Sequence, residues 1–370
     1  MSDAPAKARY IMIGGFLGAG KTTAILRFAQ HLHAQGTPVG LITNDQSIGL
    51  VDTALLRSQG MLVEEITGGC FCCRFQSLMD PAGNLTRTAA PEVFIAEPVG
   101  SCTDLRAAVS YPLRRIYGED FEIAPLSVLV DPIRAMRVLG LDKGKAFSEK
   151  VLYIYGKQLE EADIIVINKT DLLSEADHAG LRDALHAAYP ASEILSVSAR
   201  TGEGLDVWYQ RLLSGEIDNR QSPEVDYEVY AEGEALLGWL NAAAAIDAPE
   251  PFDGNALLSR IADVLQTKLA EEGAEIAHLK MTLAPSEGTD LAVLNLVRGD
   301  GTPESIHRLQ EEMEAGELII NLRAEADPAL LRATVEAVLG DLLPGAHVNI
   351  EHIEAFRPGK PTPTHRMAIA

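Results

Sequence analysis

The chain has 370 residues, 47% of them hydrophobic and 23% charged, as is typical of a soluble globular protein with two domains. Its formal net charge of −22 argues against a nucleic-acid partner, since phosphate binding requires a basic face. No apolar run reaches the ~18 residues of a membrane span and the first ten residues lack an apolar signal core, so we expect a cytoplasmic protein without a membrane partner.

The first motif is the segment Tyr10 to Thr23, YIMIGGFLGAGKTT, which has the order strand, glycine-rich loop and helix. Its spacing fits a phosphate-binding loop, in which glycines let backbone N–H groups wrap a triphosphate at a helix N-terminus. Lys21 would reach the β- and γ-phosphates, and the Thr22 hydroxyl would hold Mg²⁺. The residues predicted to contact the nucleotide here are Gly15, Gly18, Ala19, Gly20, Lys21, Thr22 and Thr23.

A polar segment, Asn44 to Asp52, follows the predicted strand Pro38 to Thr43. In a nucleotide-switch protein this is the place for a loop that Mg²⁺ and the γ-phosphate put in order. The segment also fits a capped loop that opens a helix from Asp52 to Gln59. The spacing alone does not separate these two interpretations.

Three of the four cysteines lie within four residues, after the predicted strand Leu62 to Ile66. They are Cys70, Cys72 and Cys73, and in a reducing compartment such a group indicates metal or redox chemistry rather than a disulfide framework. Soft thiolates select Zn²⁺ or Cu⁺, and a tetrahedral site would need a fourth ligand from elsewhere. The alternative is that they are small buried hydrophobes. We favour a metal site, in which one of the adjacent pair can still belong to the core.

A second acidic element ends the predicted strand Pro91 to Ala96. The Glu97 carboxylate would contact Mg²⁺ or its water, and the Gly100 N–H would contact the γ-phosphate. Cys102 follows two residues later. We hypothesise that in one nucleotide state it approaches the Cys70 cluster and completes or perturbs that site.

The motif NKTD, Asn168 to Asp171, comes directly after an apolar strand pattern. The Asp171 carboxylate can accept hydrogen bonds from guanine N1–H and the 2-amino group, which adenine does not offer. Asn168 would contact the base edge and tie neighbouring loops together, while the stem of Lys169 covers the ring. At Ser198-Ala199, a backbone N–H would meet the guanine O6. The pattern therefore predicts guanine rather than adenine.

The alternation of strands and helices predicts an α/β domain over 1–215, a doubly wound, mostly parallel sheet of the P-loop NTPase type. Residues 216–252 are interpreted as a linker and the start of a second domain, 253–356 as a smaller α+β domain of ferredoxin-like type, and 357–370 as a tail. The elements predicted after the linker are a strand Tyr227–Ala231, a helix Gly254–Glu272, strands Ile276–Leu283 and Leu291–Val297, a helix Ser305–Ala315, a strand Leu318–Leu322, a helix Pro328–Leu339 and a strand Val348–Glu354.

With GGFLGAGKTT, GGCFCC, EPVG and NKTD in this order, the chain resembles the CobW-type P-loop GTPases. These are metal-insertion and cofactor-maturation proteins with an N-terminal GTPase domain and a C-terminal α+β domain. The resemblance implies a GTPase that delivers or senses a divalent metal, zinc or cobalt. It carries metal binding onto Cys70, Cys72 and Cys73, phosphate and Mg²⁺ binding onto Lys21 and Thr22, and guanine binding onto Asn168, Lys169 and Asp171.

The chain departs from the family pattern in its switch segment, where N-E-F-G-E is common. Asp45 keeps the first acid, but Ile48 replaces the second, so a metal site that used that glutamate is in doubt. We identify no general base. The residues assigned to catalysis are Lys21, Thr22, Asp45 and Glu97, the last two as candidates to orient the attacking water.

The sequence thus predicts a cytoplasmic, Mg²⁺-dependent GTPase that acts as a metallochaperone for a client metalloenzyme or cofactor-pathway protein. Slow intrinsic hydrolysis, raised by a client or by nucleotide-dependent homodimerisation, is expected. Two alternatives stay open. One is a GTP-gated chaperone for a corrinoid or other metal-cofactor enzyme, with structural cysteines. The other is a redox- or metal-sensing regulator.

Overall fold

The computed structural model describes residues 7–44, 56, 60–66, 71, 73, 75–217, 219–341 and 345–369. Contacts divide the chain into two compact units. The N-terminal unit consists of the described residues up to Tyr230 together with 361–369, and the C-terminal unit of those from Ala231 to Lys360. Among the described residues, no helix is both long and apolar enough to cross a membrane.

The N-terminal unit is built on an eight-stranded sheet with the order β3-β2-β4-β1-β6-β7-β8, in which β5 also pairs with β1. Every one of these pairings is parallel. Three of the strands are buried along their whole length, and β1 is buried except at its first residue, as a sheet covered on both faces requires. The strands are β1 (Ala8–Gly15), β2 (Val39–Asn44), β3 (Val63–Ile66), β4 (Val93–Glu97), β5 (Phe121–Ile123), β6 (Ser127–Val130), β7 (Ile164–Ile167) and β8 (Glu193–Ser196).

Helices connect these strands, and their apolar faces cover the sheet. The Phe28 ring of the first helix packs on Trp208 and Tyr209 of the last one. The helices are α1 (Lys21–Ala34), α2 (Phe75–Ala89), α3 (Tyr111–Ile116), α4 (Pro132–Val138), α5 (Glu149–Glu161), α6 (Glu175–Ala188) and α7 (Leu205–Ser214). A turn of π-helix, Arg106–Ser110, precedes α3. The predicted α/β fold with a parallel sheet is confirmed.

The C-terminal unit contains a six-stranded antiparallel sheet with the order β12-β11-β10-β13-β9-β14. The last four strands in that order, with the two helices that connect them, have the strand order of a ferredoxin-like fold, and both helices share one apolar core with the sheet. The elements are α8 (Tyr227–Leu236), in which the division between the units falls, and then β9 (Leu237–Phe252), α9 (Gly254–Glu271), β10 (Glu275–Pro285), β11 (Ala292–Leu296), β12 (Glu304–His307), β13 (Met313–Glu325), α10 (Pro328–Gly340) and β14 (His347–Phe356).

Two predicted elements are wrong. Tyr227–Ala231 has strand-like aromatic and β-branched residues but lies in the helix α8, where the Tyr230 ring is fully buried. Ser305–Ala315 has helical composition, yet the structure has β12 and the start of β13 there, because pairing with β11 and β9 overrides local propensity. Within 216–252, interpreted as a linker and the start of the second domain, Leu237–Phe252 forms β9, a 16-residue strand between β13 and β14.

Candidate functional site

The glycine-rich loop between β1 and α1 has a backbone that only glycine adopts readily. Gly15, Gly18 and Gly20 all have positive φ, at 134°, 81° and 86°. A Cβ on Gly15 would lie 2.3 Å from the carbonyl oxygen of Leu129. The helix α1 begins directly after the loop, with no side chain capping it and no acidic residue in its first turn, which holds Thr22 and Thr23. Its N-terminal N–H groups are therefore suited to an anion.

Three polar side chains meet at this helix start. The Thr22 Oγ1 donates to Glu97 Oε1 at 3.0 Å, and Lys21 Nζ lies 4.0 Å from the same carboxylate oxygen. Lys21 Nζ also donates to the carbonyl of Gly15 at 2.9 Å, so its ammonium group lies inside the loop. A hydroxyl and a carboxylate side by side are the hard oxygen donors that Mg²⁺ prefers, and these residues fit that ion.

The NKTD segment lies against the same loop. Asn168 Nδ2 donates to the carbonyl of Ala19 at 2.9 Å, and Asn168 Oδ1 accepts from the Ala199 N–H at 3.1 Å. Lys169 Nζ donates to the carbonyl of Gly18 at 2.9 Å. Asn168 thus ties two loops together, and the residues predicted for the phosphates and for the base adjoin each other.

Asp171 and Ser198, both predicted at the base, are within hydrogen-bond distance of each other. The Ser198 hydroxyl donates to Asp171 Oδ1 at 2.6 Å, and Arg200 Nη1 lies 3.5 Å from Asp171 Oδ2. These contacts hold the carboxylate in place beside the loop Ser198-Ala199. The arrangement suits a base with two neighbouring donors.

Two further residues support the loop, and the sequence reasoning assigned neither of them. Asp131 accepts from Lys169 Nζ at 2.9 Å and caps α4 by accepting from the Arg134 N–H. The Arg134 guanidinium lies 5.4 Å from the centroid of the Phe16 ring and 5.0 Å from that of the Phe147 ring, and it donates to the carbonyl of Leu17. More than one hundred residues separate Arg134 from Leu17, so only the fold reveals this contact.

Gly100, the predicted γ-phosphate contact, packs on the glycine-rich loop. A Cβ added to it would lie 2.7 Å from Leu17 Cδ2. Gln158 of α5 donates through Nε2 to the carbonyls of Gly100 and Cys102, at 2.9 and 2.8 Å. The chain from Val93 to Leu113 is buried throughout, so this segment is an interior element and not a surface loop.

A buried acid anchors the next part of this segment. Glu161 accepts from the Thr103 hydroxyl at 3.0 Å and from the Arg106 N–H at 2.9 Å, and Arg106 pairs with Asp163. Burial raises the pKa of Glu161 to about 8, against the opposing effect of these donors and the Arg106 charge. At this pKa the Glu161 carboxyl keeps its proton near neutral pH.

The cysteine loop is described only in part. Asn44, at the end of β2, donates to the carbonyl of Ile66 at 3.1 Å and accepts from the Phe71 N–H at 3.2 Å, so it ties both sides of the loop to β2. Cys73 is half-buried. Cys70 and Cys72 lie outside the described residues, as do Asp45 and Ile48 of the switch segment.

No group of three or more histidine, cysteine or acidic side chains suited to a metal ion occurs among the residues that the structure describes. Because two of the three clustered cysteines are outside that set, the C-x-C-C site stays a prediction. Cys102 is 1% exposed, and its approach to the cluster likewise stays a hypothesis.

A family model, "CobW/HypB/UreG, nucleotide-binding domain", matches residues 9–196, that is 188 of the 370 residues. The chain belongs to this family of P-loop GTPases. The prediction made from the four motifs is confirmed, and the matched region contains all the predicted site residues except Ser198 and Ala199.

Several known proteins are similar to the chain. The zinc chaperone YeiR of Escherichia coli (strain K12) is 34% identical over 43% of this chain and 46% of its own length. The zinc chaperone CobW of Sinorhizobium sp is 30% identical over 52% of this chain and 59% of its own length. The Zn(II)-bound YjiA GTPase from E. coli is 17% identical over 90% of this chain and 99% of its own, with a TM-score of 0.37. The chain spans about half the length of the two curated relatives.

Proposed function

We propose that this protein is a Mg²⁺-dependent GTPase that couples its nucleotide state to the binding and delivery of a divalent metal. The observation that carries the nucleotide part is the pair of contacts from Asn168 to Ala19 and from Lys169 to Gly18. They bring the NKTD segment to the phosphate loop, so that one guanine nucleotide can span both. Asp171 would select guanine, because its carboxylate accepts two hydrogen bonds from that base.

For hydrolysis we assign Lys21 to the β- and γ-phosphates and the Gly100 N–H to the γ-phosphate. Thr22 and Glu97 would hold Mg²⁺, which when bound neutralises charge that develops on the phosphate oxygens. Asp45 and Glu97 stay the candidates to orient the attacking water. With no stronger base assigned, we expect slow turnover that a client protein or a second copy of the chain raises.

The metal part rests on the C-x-C-C sequence and on the similarity to two zinc chaperones. Cys70, Cys72 and Cys73 would bind the cargo, zinc or cobalt, as thiolates. Asn44 supports coupling, because it joins the cysteine loop to the start of the predicted switch segment. We propose that GTP assembles the thiolates and that hydrolysis releases the metal to a client metalloenzyme or cofactor-pathway protein.

The test is a metal-competition titration of the reduced protein with GDP and with a non-hydrolysable GTP analogue. We expect the analogue to change the affinity for Zn²⁺ or Co²⁺ by about tenfold, with a reciprocal effect of the metal on nucleotide affinity. If no thiolate-bound metal is found in either state while GTP turnover is intact, the metallochaperone proposal fails. A chaperone for a corrinoid or other cofactor enzyme would then replace it, and a nucleotide effect that follows cysteine oxidation alone would indicate a redox regulator.

Guanine specificity has its own test. Asp171→Asn replaces an acceptor by an amide that can donate, which mismatches the guanine 2-amino group and matches the 2-oxo group of xanthine. We expect GTP affinity to fall at least about tenfold, with xanthosine triphosphate bound better than GTP, because a charge-assisted hydrogen bond contributes about 1.5–3 kcal/mol. Equal loss for both nucleotides would show that Asp171 only supports the Ser198 loop.

A further inference from the structure

Residues 361–369, interpreted from the sequence as part of a tail, run along the N-terminal unit. We call them the C-terminal strap. Pro361 at its start is buried, and the residues after it are half-buried or exposed. The strap contacts two segments that the proposed function uses, the cysteine loop and the chain that follows Gly100.

At one end, the strap contacts the cysteine loop. The Thr362 N–H donates to Cys73 Sγ at 3.2 Å, and the Thr364 hydroxyl donates to the Cys73 carbonyl at 2.8 Å. The His365 ring meets the Phe75 ring edge-on, with 5.1 Å between centroids. An N–H group directed at a sulfur lowers the electron density that a thiolate gives to a metal, so this contact acts on the strength of Cys73 as a ligand.

At the other end, the strap holds Asp104. Arg366 donates to both carboxylate oxygens, at 2.8 and 3.4 Å, and the Met367 N–H donates to the carbonyl of Ala107 at 2.9 Å. Asp104 is 2% exposed, so its negative charge is largely removed from water. A buried carboxylate with a two-oxygen contact to an arginine forms a strong and directional link.

Asp104 lies four residues after Gly100, and its backbone is strained. Its φ is +63°, which a residue with a side chain adopts at a cost of about 1 kcal/mol. Tyr227 donates to the same carboxylate, and Tyr230 accepts from the Thr103 N–H and donates to the carbonyl of Ser101. The segment after Gly100 is thus held both by the strap and by the start of α8.

We propose that the C-terminal strap transmits the nucleotide state from the Gly100 segment to the Cys73 thiol. This proposal rests on the proposed function, because it takes from there that the Gly100 N–H contacts the γ-phosphate of GTP. When the γ-phosphate draws Gly100, Asp104 shifts, Arg366 loses its two-oxygen contact, and the Thr362 N–H leaves Cys73 Sγ. Thr362 and Arg366 are four residues apart, at most about 14 Å of extended chain, so a shift at one end reaches the other. In the GTP state Cys73 is then the stronger ligand, and after hydrolysis the strap weakens it.

The test measures the alkylation rate of Cys73 by mass spectrometry in the metal-free, reduced full chain, with GDP and with a non-hydrolysable GTP analogue. We expect the analogue to raise the rate about threefold or more in the unmodified protein, because the thiol loses its cover. Arg366→Ala and Thr364→Val should both abolish this nucleotide dependence, and Arg366→Lys should retain part of it. The control is Arg211→Ala, which removes an exposed ion pair with Glu193 elsewhere on the same unit and should leave the dependence unchanged.

The outcomes separate this inference from the proposed function. If the unmodified protein shows the dependence and Arg366→Ala keeps it at full size, the strap does not transmit the state, whatever the metal titration gives. An unmodified protein that binds both nucleotides and shows no dependence overturns the inference as well. If alkylation depends on nucleotide and on Arg366 while no metal binds, the strap is supported and the metallochaperone proposal alone fails. Nucleotide affinities and melting temperatures of all variants check that the variants are folded.

Discussion

Single backbone positions explain much of the geometry at the candidate nucleotide site. Gly20 has a φ of +86°, and a Cβ there would lie 2.5 Å from Asn168 Nδ2, the atom that ties the base side to the loop. Glycine is needed at this position for two separate reasons, the torsion and the close approach. Gly36, just after α1, shares the first reason only, since its φ is +79° and nothing lies within 4 Å of its Cβ position.

This pair gives a matched test. Gly36→Ala should cost about 1 kcal/mol of unfolding free energy and leave nucleotide affinity unchanged, because only the left-handed torsion is strained. Gly20→Ala should lower the affinity for GDP and GTP at least about tenfold, or about 1.4 kcal/mol, since Asn168 must also move. Isothermal titration and chemical unfolding of both variants measure the two effects. Equal affinities in the two variants would contradict the role given to the Asn168 contact.

The buried Glu161 carboxyl gives a prediction about pH. Its folded-state pKa is raised to about 8 by burial, far above the value of about 4.3 in an unfolded chain. Between these values the folded protein holds a proton that the unfolded chain has released, so this group's contribution to stability is lost as the pH rises towards 8. We expect the melting temperature to fall less between about pH 6 and pH 9 in Glu161→Gln than in the unmodified protein. Glu160→Gln, an exposed neighbour on α5, is the control and should keep the original slope.

At the scale of elements, α5 supports the segment that follows β4, residues 100–106, through side-chain hydrogen bonds. Gln158 and Glu161, one helical turn apart, bind the backbone or side chains of residues 100–106. The π-helical turn Arg106–Ser110 follows at the point where Glu161 accepts from the Arg106 N–H. Because the whole segment is buried, a shift of Gly100 must be transmitted to the residues packed on it.

A substitution of Gln158 tests whether α5 supports this segment. Gln158→Leu leaves the carbonyls of Gly100 and Cys102 without this donor, which should cost about 1–3 kcal/mol for each carbonyl left buried without a donor. It should also reduce the preference for a GTP analogue over GDP, because Gly100 is no longer held. Gln266 makes the same double contact with the carbonyls of Gly299 and Gly301 in the C-terminal unit. Gln266→Leu should therefore destabilise the protein but leave the nucleotide preference intact. If both variants lower the nucleotide preference to the same extent, the role of Gln158 is purely structural.

At the scale of the whole molecule, each unit has its own core and contains one of the two tryptophans. Trp208 of the N-terminal unit packs on Phe28 and donates to the Ser127 hydroxyl at 2.9 Å. Trp239 of the C-terminal unit lies under the Arg323 guanidinium, 4.1 Å from the ring centroid. Each ring therefore reports on the unfolding of a different core.

Single-tryptophan variants turn this into a measurement. In Trp239→Phe the remaining fluorescence follows the N-terminal unit, and in Trp208→Phe it follows the C-terminal unit. A guanine nucleotide at about one hundred times its Kd should stabilise the Trp208 transition by about 2.7 kcal/mol. The nucleotide should change the free energy of the Trp239 unfolding transition much less, with both transitions measured in urea. Equal shifts in both variants would show that the two cores unfold as one cooperative unit.

The sequence predicts a feature correctly when the residues that determine it lie close together along the chain. The phosphate loop, the acid at the end of β4 and NKTD are short patterns whose chemistry depends on neighbouring residues, and the family match confirms the GTPase family that they predict. Parallel strands were recognised from their buried apolar runs. The errors at Tyr227–Ala231 and Ser305–Ala315 arose where tertiary pairing or packing outweighs local propensity.

By itself, the sequence determined that this chain has a glycine-rich phosphate loop, a cysteine cluster and a guanine-recognition motif, in the order found in CobW-type GTPases. Only the tertiary structure decided which distant residues support them. Arg134 on Leu17, Gln158 on Gly100, and the strap from Cys73 to Asp104 join residues up to about three hundred positions apart. No spacing in a sequence records such contacts, because they arise when separately formed elements bury their surfaces against one another.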